Sequence, residues 1–94
     1  MKIKDVDRVV SRSFGIRIKD IRVRCQQREF VDARQMAWLI LKENGVTVME
    51  LSRSYKRNHG AVCTGITRMR GLVEVHRKIE TIYKEIKEEL HLCY

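Results

Sequence analysis

Apolar residues recur at helical spacing through most of the chain. Val6, Val9, Val10 and Phe14 share one side of a helix and Gly15 is its natural stop, so a first helix is predicted from about Asp5 to Phe14. Ile16, Ile18, Ile21 and Val23 follow with mixed periodicity; a short helical turn near Lys19–Val23 is predicted there, because no partner strand is evident elsewhere. Asp32 is a good N-cap for a second helix, about Ala33 to Glu43, which Asn44-Gly45 closes. Ala33, Met36, Ala37, Leu39 and Ile40 cover most of its circumference. That leaves Arg34, Gln35 and Lys42, with Trp38 beside them, as the one stripe for solvent. A helix this apolar belongs at the centre of a fold.

Thr47-Val48-Met49-Glu50 matches the capping box, in which Thr and Glu satisfy each other's free amides, and it opens a short helix to about Ser54. After Tyr55-Lys56-Arg57-Asn58 another helix starts at His59, with Asn58 as cap, and runs through Val62, Ile66 and Met69 to Gly71. Two short helices so tightly joined, the second opening among basic residues, make a helix-turn-helix over about residues 47–71. In the last helix, about 73–91, Leu72, Val75, Ile79, Ile82, Tyr83, Ile86 and Leu90 lie on one side, while Glu74, Lys78, Glu85 and Glu88 lie largely elsewhere. It is expected to pack across the domain, and its Leu90–Tyr94 end offers a surface for a homodimer. Residues 1–94 thus read as one all-α domain of five to six helices.

Composition agrees with a folded helical domain: 44% hydrophobic, 34% charged and no proline. No apolar run approaches the roughly 20 residues that span a bilayer, and Met1-Lys2-Ile3-Lys4-Asp5 lacks the apolar run of a signal peptide, so a cytoplasmic location is expected. The net charge of +8 is unevenly placed. Residues 1–72 hold 16 Lys/Arg against 7 Asp/Glu, whereas residues 73–94 hold 4 against 5. This asymmetry points to a polyanionic partner for the first three quarters of the chain. Its cations sit on loops and helix starts, not opposite a free apolar face, which disfavours a membrane surface. Nucleic acid is the leading partner, and an acidic protein docking on the basic face is the alternative.

Catalytic chemistry finds no foothold. Ser11, Ser13, Ser52 and Ser54 have no His and acid at motif spacing, and the five glycines contain no phosphate-binding loop. Cys25, Cys63 and Cys93 are odd in number and far apart, describing neither a disulfide framework nor a zinc site. His59 and Cys63 could share a helix face, but two ligands do not make a metal site. No enzyme, cofactor or metal is expected. Arg57, Asn58, His59, Gly60 and Ala61 cluster instead at the start of the recognition helix, the end that enters a major groove. Arg grips guanine, Asn and His pair with base edges, and Gly and Ala allow close backbone approach. Gly60 and Gly65 each cost the helix up to about 1 kcal/mol against alanine, to be explained by close approach to DNA or by relief of packing. Arg34, in the first turn of the helix predicted from Ala33, either awaits a phosphate or pairs with Glu29 or Asp32.

Two motifs carry a family resemblance. Ala33-Arg34-Gln35-Met36-Ala37 resembles P-R-Q-[MI]-A, and Lys56-Arg57-Asn58-His59-Gly60-Ala61-Val62 resembles G-R-D-H-T-T-V, of the C-terminal DNA-binding domain of the bacterial chromosomal replication initiator DnaA. The likeness extends from Val6 to about Leu90. It implies a Trp-repressor-like fold, double-stranded DNA as partner, phosphate contacts from Arg34 and Gln35, and a base edge for His59. It also implies an arginine of the basic loop in the adjacent minor groove, here Arg24 or Arg28 because Gln26 occupies the family's position. Asn58, Gly60-Ala61 and Ala33 replace the family's aspartate, two threonines and proline. Backbone binding is thus expected to persist and the sequence preference to differ. The resemblance includes none of the family's ATPase module. It therefore implies a stand-alone, nucleoid-associated regulator, or an accessory factor of replication or of a mobile element, with a replication or regulatory protein as a further partner.

Overall fold

The computed structural model describes residues 2–22 and 27–91. Among them five α-helices follow in order, α1 (Ile3–Phe14), α2 (Arg28–Glu43), α3 (Val48–Tyr55), α4 (His59–Val75) and α5 (Arg77–Glu89), with a 3-10 turn at Ile18–Ile21 after α1. The all-α reading holds.

Helix α1 stops at Gly15, whose φ of 70° lets its N–H reach the Arg12 carbonyl at 3.2 Å while the Ile16 N–H reaches Ser11 at 3.0 Å. The same two-bond closure ends α2, where Gly45 (φ 97°) donates to Lys42 at 3.3 Å and Val46 to Leu41 at 3.0 Å. At the start of α3 the Thr47 hydroxyl accepts from the Glu50 amide at 3.1 Å.

Helix α2 is the axis of the core. Ala33, Met36, Ala37, Trp38, Leu39, Ile40 and Leu41 are buried, packed against α1 through Val6, Val9 and Val10 and against α4 through Val62, Ile66 and Met69. Helix α5 covers α1 and α4 with Ile79 and Ile86, while an Arg12–Glu89 ion pair and a Tyr83-to-Glu43 hydrogen bond of 2.5 Å fasten its outer side. No described helix is long and apolar enough to cross a membrane.

Several boundaries differ from the sequence expectation. Helix α2 begins at Arg28, not Ala33, because Phe30 and Val31 continue its half-buried face; Asp32 is a buried residue within it, not its cap. Helix α4 runs past Gly71 to Val75, since a lone glycine weakens a helix without ending it. The break falls instead at His76, whose extended backbone (φ −109°, ψ 106°) starts α5. Val75, placed by periodicity on the buried side of the last helix, is 82% exposed because it belongs to the preceding one.

Candidate nucleic-acid interface

The joint between α3 and α4 is made by the residues that the sequence singles out. Lys56 closes α3 in the left-handed region (φ 55°) and is exposed. Arg57, half-buried, turns back to donate to the Tyr55 carbonyl at 3.2 Å and the Arg22 carbonyl at 3.4 Å, cross-linking the turn to the loop after α1. Asn58 caps α4, its side-chain oxygen accepting from the Ala61 amide at 2.7 Å. The first backbone bond of α4 comes from Val62, to the Asn58 carbonyl at 3.2 Å, so the His59 and Gly60 amides have no acceptor within the helix. With no acid in its first turn, this end of α4 suits an anion.

His59, Gly60 and Ala61 are all exposed there, and His59 Nδ1 lies 3.8 Å from Cys63 Sγ on the same face. A Cβ added to Gly60 would meet only the Asn58 side chain, at an ordinary 3.5 Å, so nothing inside the protein requires glycine. Gly65 is the opposite case. Its Cβ would stand 2.8 Å from the Trp38 ring and 3.1 Å from Gln35, so here the packing reading holds.

Arg34 is a correction. The sequence pattern puts it on the solvent stripe of α2, but with α2 starting at Arg28 it lies in the second turn and is only 6% exposed. Its Nε donates to the Ile21 carbonyl at 2.9 Å, tying α2 to the 3-10 turn, so its position is internal. Trp38, beside that stripe, is also buried, at 3% exposure. The first-turn cation of α2 is Arg28, exposed at the helix's positive end, where an anion would relieve it. Arg24, the other residue of the basic loop, lies outside the described residues.

Gln35 does reach the surface, half-exposed, where its oxygen accepts from Arg68 Nη1 at 2.6 Å. The same nitrogen bonds Asp32 at 2.8 Å. Sequence reading overlooked Arg68 together with Thr64 and Thr67, which are exposed on the face of α4 that begins with Gly60 and Ala61. The signal was available, for these residues recur from Gly60 and Ala61 at three- and four-residue steps. Arg22, counted with the basic stretch, is largely spoken for: it pairs with Asp7 at 2.9 Å, donates to the Ser54 carbonyl at 2.6 Å and lies 4.3 Å over the Tyr55 ring.

An exposed helix start whose first amides have no acceptor within the helix, flanked by Lys56 and Arg57 and seated on a buried scaffold, is the arrangement of a DNA-reading helix-turn-helix. No curated protein is a significant match to the chain. The family model for the bacterial DnaA protein helix-turn-helix matches residues 3–69, from the start of α1 to Met69 in α4. The chain belongs to this DNA-binding family.

Proposed function

We propose that this domain binds double-stranded DNA with a sequence preference of its own, laying the start of α4 in the major groove, as a non-catalytic regulator or accessory factor of replication or of a mobile element. The observation that carries the reading is the outward face at that start: His59, Gly60 and Ala61 stand exposed above two amides without helical acceptors. His59 is the candidate for a base edge. Lys56, Arg57 and the Asn58 cap lie beside it at the turn, while Gln35 and Arg28 continue the face along α2 toward the later turns of α4; these are the proposed backbone-side contacts. The loop arginine Arg24 completes the set proposed from the sequence.

Titration of labelled duplexes over a range of salt tests this. Affinity is expected to fall with salt, each phosphate contact adding about 0.9 to the slope of log K against log salt. His59→Ala is expected to erode discrimination between duplexes, whereas Lys56→Ala weakens all of them alike. Cys63, exposed one turn beyond His59, supplies a second readout, since bound duplex is expected to shield it from a thiol reagent in site-resolved mass spectrometry. Absence of any retarded duplex at low salt would favour an acidic protein as the partner instead.

A further inference from the structure

We infer that base discrimination extends beyond His59 into the second and third turns of α4, with Thr64 and Thr67 facing the bases and Arg68 clamping a phosphate beside them. The inference rests on duplex DNA being the ligand, as proposed above, and concerns which side chains choose the sequence. Three observations converge on it.

The first turn of α4 is nearly bare. After His59 its outward positions are Gly60 and Ala61, which hold no side-chain donor or acceptor. A helix start without bulk lets the axis sink further into a groove, bringing the following turns within reach of base edges. On that same exposed face the next hydrogen-bonding side chains are Thr64 and Thr67, four and seven residues beyond Gly60. A threonine offers a hydroxyl that donates or accepts and a methyl that packs on thymine, which suits it to base edges. With Cys63 and Arg68 these two threonines line a shallow, open surface depression.

Arg68 is aimed rather than loose. A single nitrogen, Nη1, serves both Asp32 (2.8 Å) and Gln35 (2.6 Å) across the α2–α4 crossing, while 39% of the side chain's surface remains accessible. Guanidinium has five N–H donors, so one nitrogen held from behind leaves others for an outside anion. Asp32 and Gln35 act here as positioning residues. Arg68 is thereby an exposed cation at the α2–α4 crossing, whereas Arg34 is buried against the 3-10 turn.

The test begins by selecting bound duplexes from a random library with the intact chain, then measuring its affinity for a selected duplex and a scrambled one. Thr64→Val with Thr67→Val keeps branching and exposure while removing both hydroxyls. It is expected to leave scrambled-duplex affinity within about threefold and to cut the preference at least about tenfold. Arg68 is tested in an Asp32→Asn background, so that no unpaired carboxylate is left. Against D32N alone, D32N with Arg68→Gln is expected to lose about 0.9 of the salt slope, and Arg68→Lys in the same background to keep it. A valine variant with undiminished preference overturns the inference, as does an unchanged slope in the Gln variant. If the intact chain binds duplexes with no preference at all, this inference fails while DNA binding stands. If it retards no duplex, both fail together.

Discussion

The Tyr55 hydroxyl at the end of α3 donates to the Asp7 carboxylate in α1, across 48 positions of sequence, and Arg22 closes on the same carboxylate at 2.9 Å. This cluster joins α1, the basic loop and the first helix of the helix-turn-helix. Tyr55→Phe keeps the ring, its edge-on contact with Trp38 and the Arg22 stacking, and removes only the hydroxyl. It is expected to destabilise the domain by about 1–3 kcal/mol, because the buried carboxylate loses one of its hydrogen-bond donors. Urea unfolding at neutral pH should show a lower midpoint with an unchanged slope.

The same cluster sets a pH dependence. Burial raises the Asp7 carboxyl above its ordinary 3.8, against the opposing pull of the Tyr55 hydrogen bond and the Arg22 charge. The folded state therefore holds this proton more tightly than the unfolded chain. Its contribution is fully present below 3.8 and is lost as pH rises through the folded value. The stability of the wild type relative to Asp7→Asn is expected to decline over that rise; an increase would reverse the assigned direction. Burial and the Asp7 charge also push the Tyr55 phenol well up from 10, so ionisation opposes folding above that pH. Tyr55→Phe should lose stability less steeply in alkali.

Three glycines of α4 separate packing from reading. Gly65→Ala would drive a methyl into the Trp38 ring, and is expected to cost about 1–3 kcal/mol. Gly71→Ala meets nothing within 4 Å and should raise stability by up to about 1 kcal/mol. Gly60→Ala should stabilise the helix by a similar or smaller amount while weakening duplex binding. Thermal melting and DNA titration of the three variants together check the ordering.

Arg34→Ala is expected to lower stability by about 1–3 kcal/mol, because it strips the Ile21 carbonyl of its 2.9 Å donor, without changing the salt dependence of DNA binding. A lower salt slope at unchanged melting temperature would return Arg34 to the phosphate-contacting set.

Lys56 sits in the left-handed region that a glycine occupies at no cost. Lys56→Gly is expected to gain up to about 1 kcal/mol in stability and to lose affinity for all duplexes alike. The residue thus trades backbone ease for an exposed cation at the turn.

Much of this was legible before any coordinates. The Val6–Val9–Val10 spacing, the Gly15 and Asn44-Gly45 stops, and the Thr47 and Asn58 caps each encode a local packing or hydrogen-bond rule; the valines form the buried face of α1, and the stops and caps mark boundaries in the structure. The failures are tertiary. Asp32 has the side chain of a cap, but Arg68, 36 positions later, draws it into a cross-helix pair. Arg34 looked like a solvent cation because nothing local announces that the Ile21 carbonyl will meet its guanidinium. Gly71 looked like a stop, whereas His76 is where the chain turns out of helical geometry. At the site, the residues around the α4 start are readable from helix-start chemistry; helical spacing puts Thr64, Thr67 and Arg68 on the face of Gly60 and Ala61, but that this face stays outside is decided by the packing of Gly65 on Trp38.

Gly65 seats α4 directly against the Trp38 ring of α2, with no room between them for even a methyl group. If α4 enters the groove as proposed, a helix seated this closely presents one angle, and mismatch with a duplex is expected to fall on the duplex. Base steps that flex or unstack readily would then be favoured even where no side chain arrives, and stiff tracts penalised.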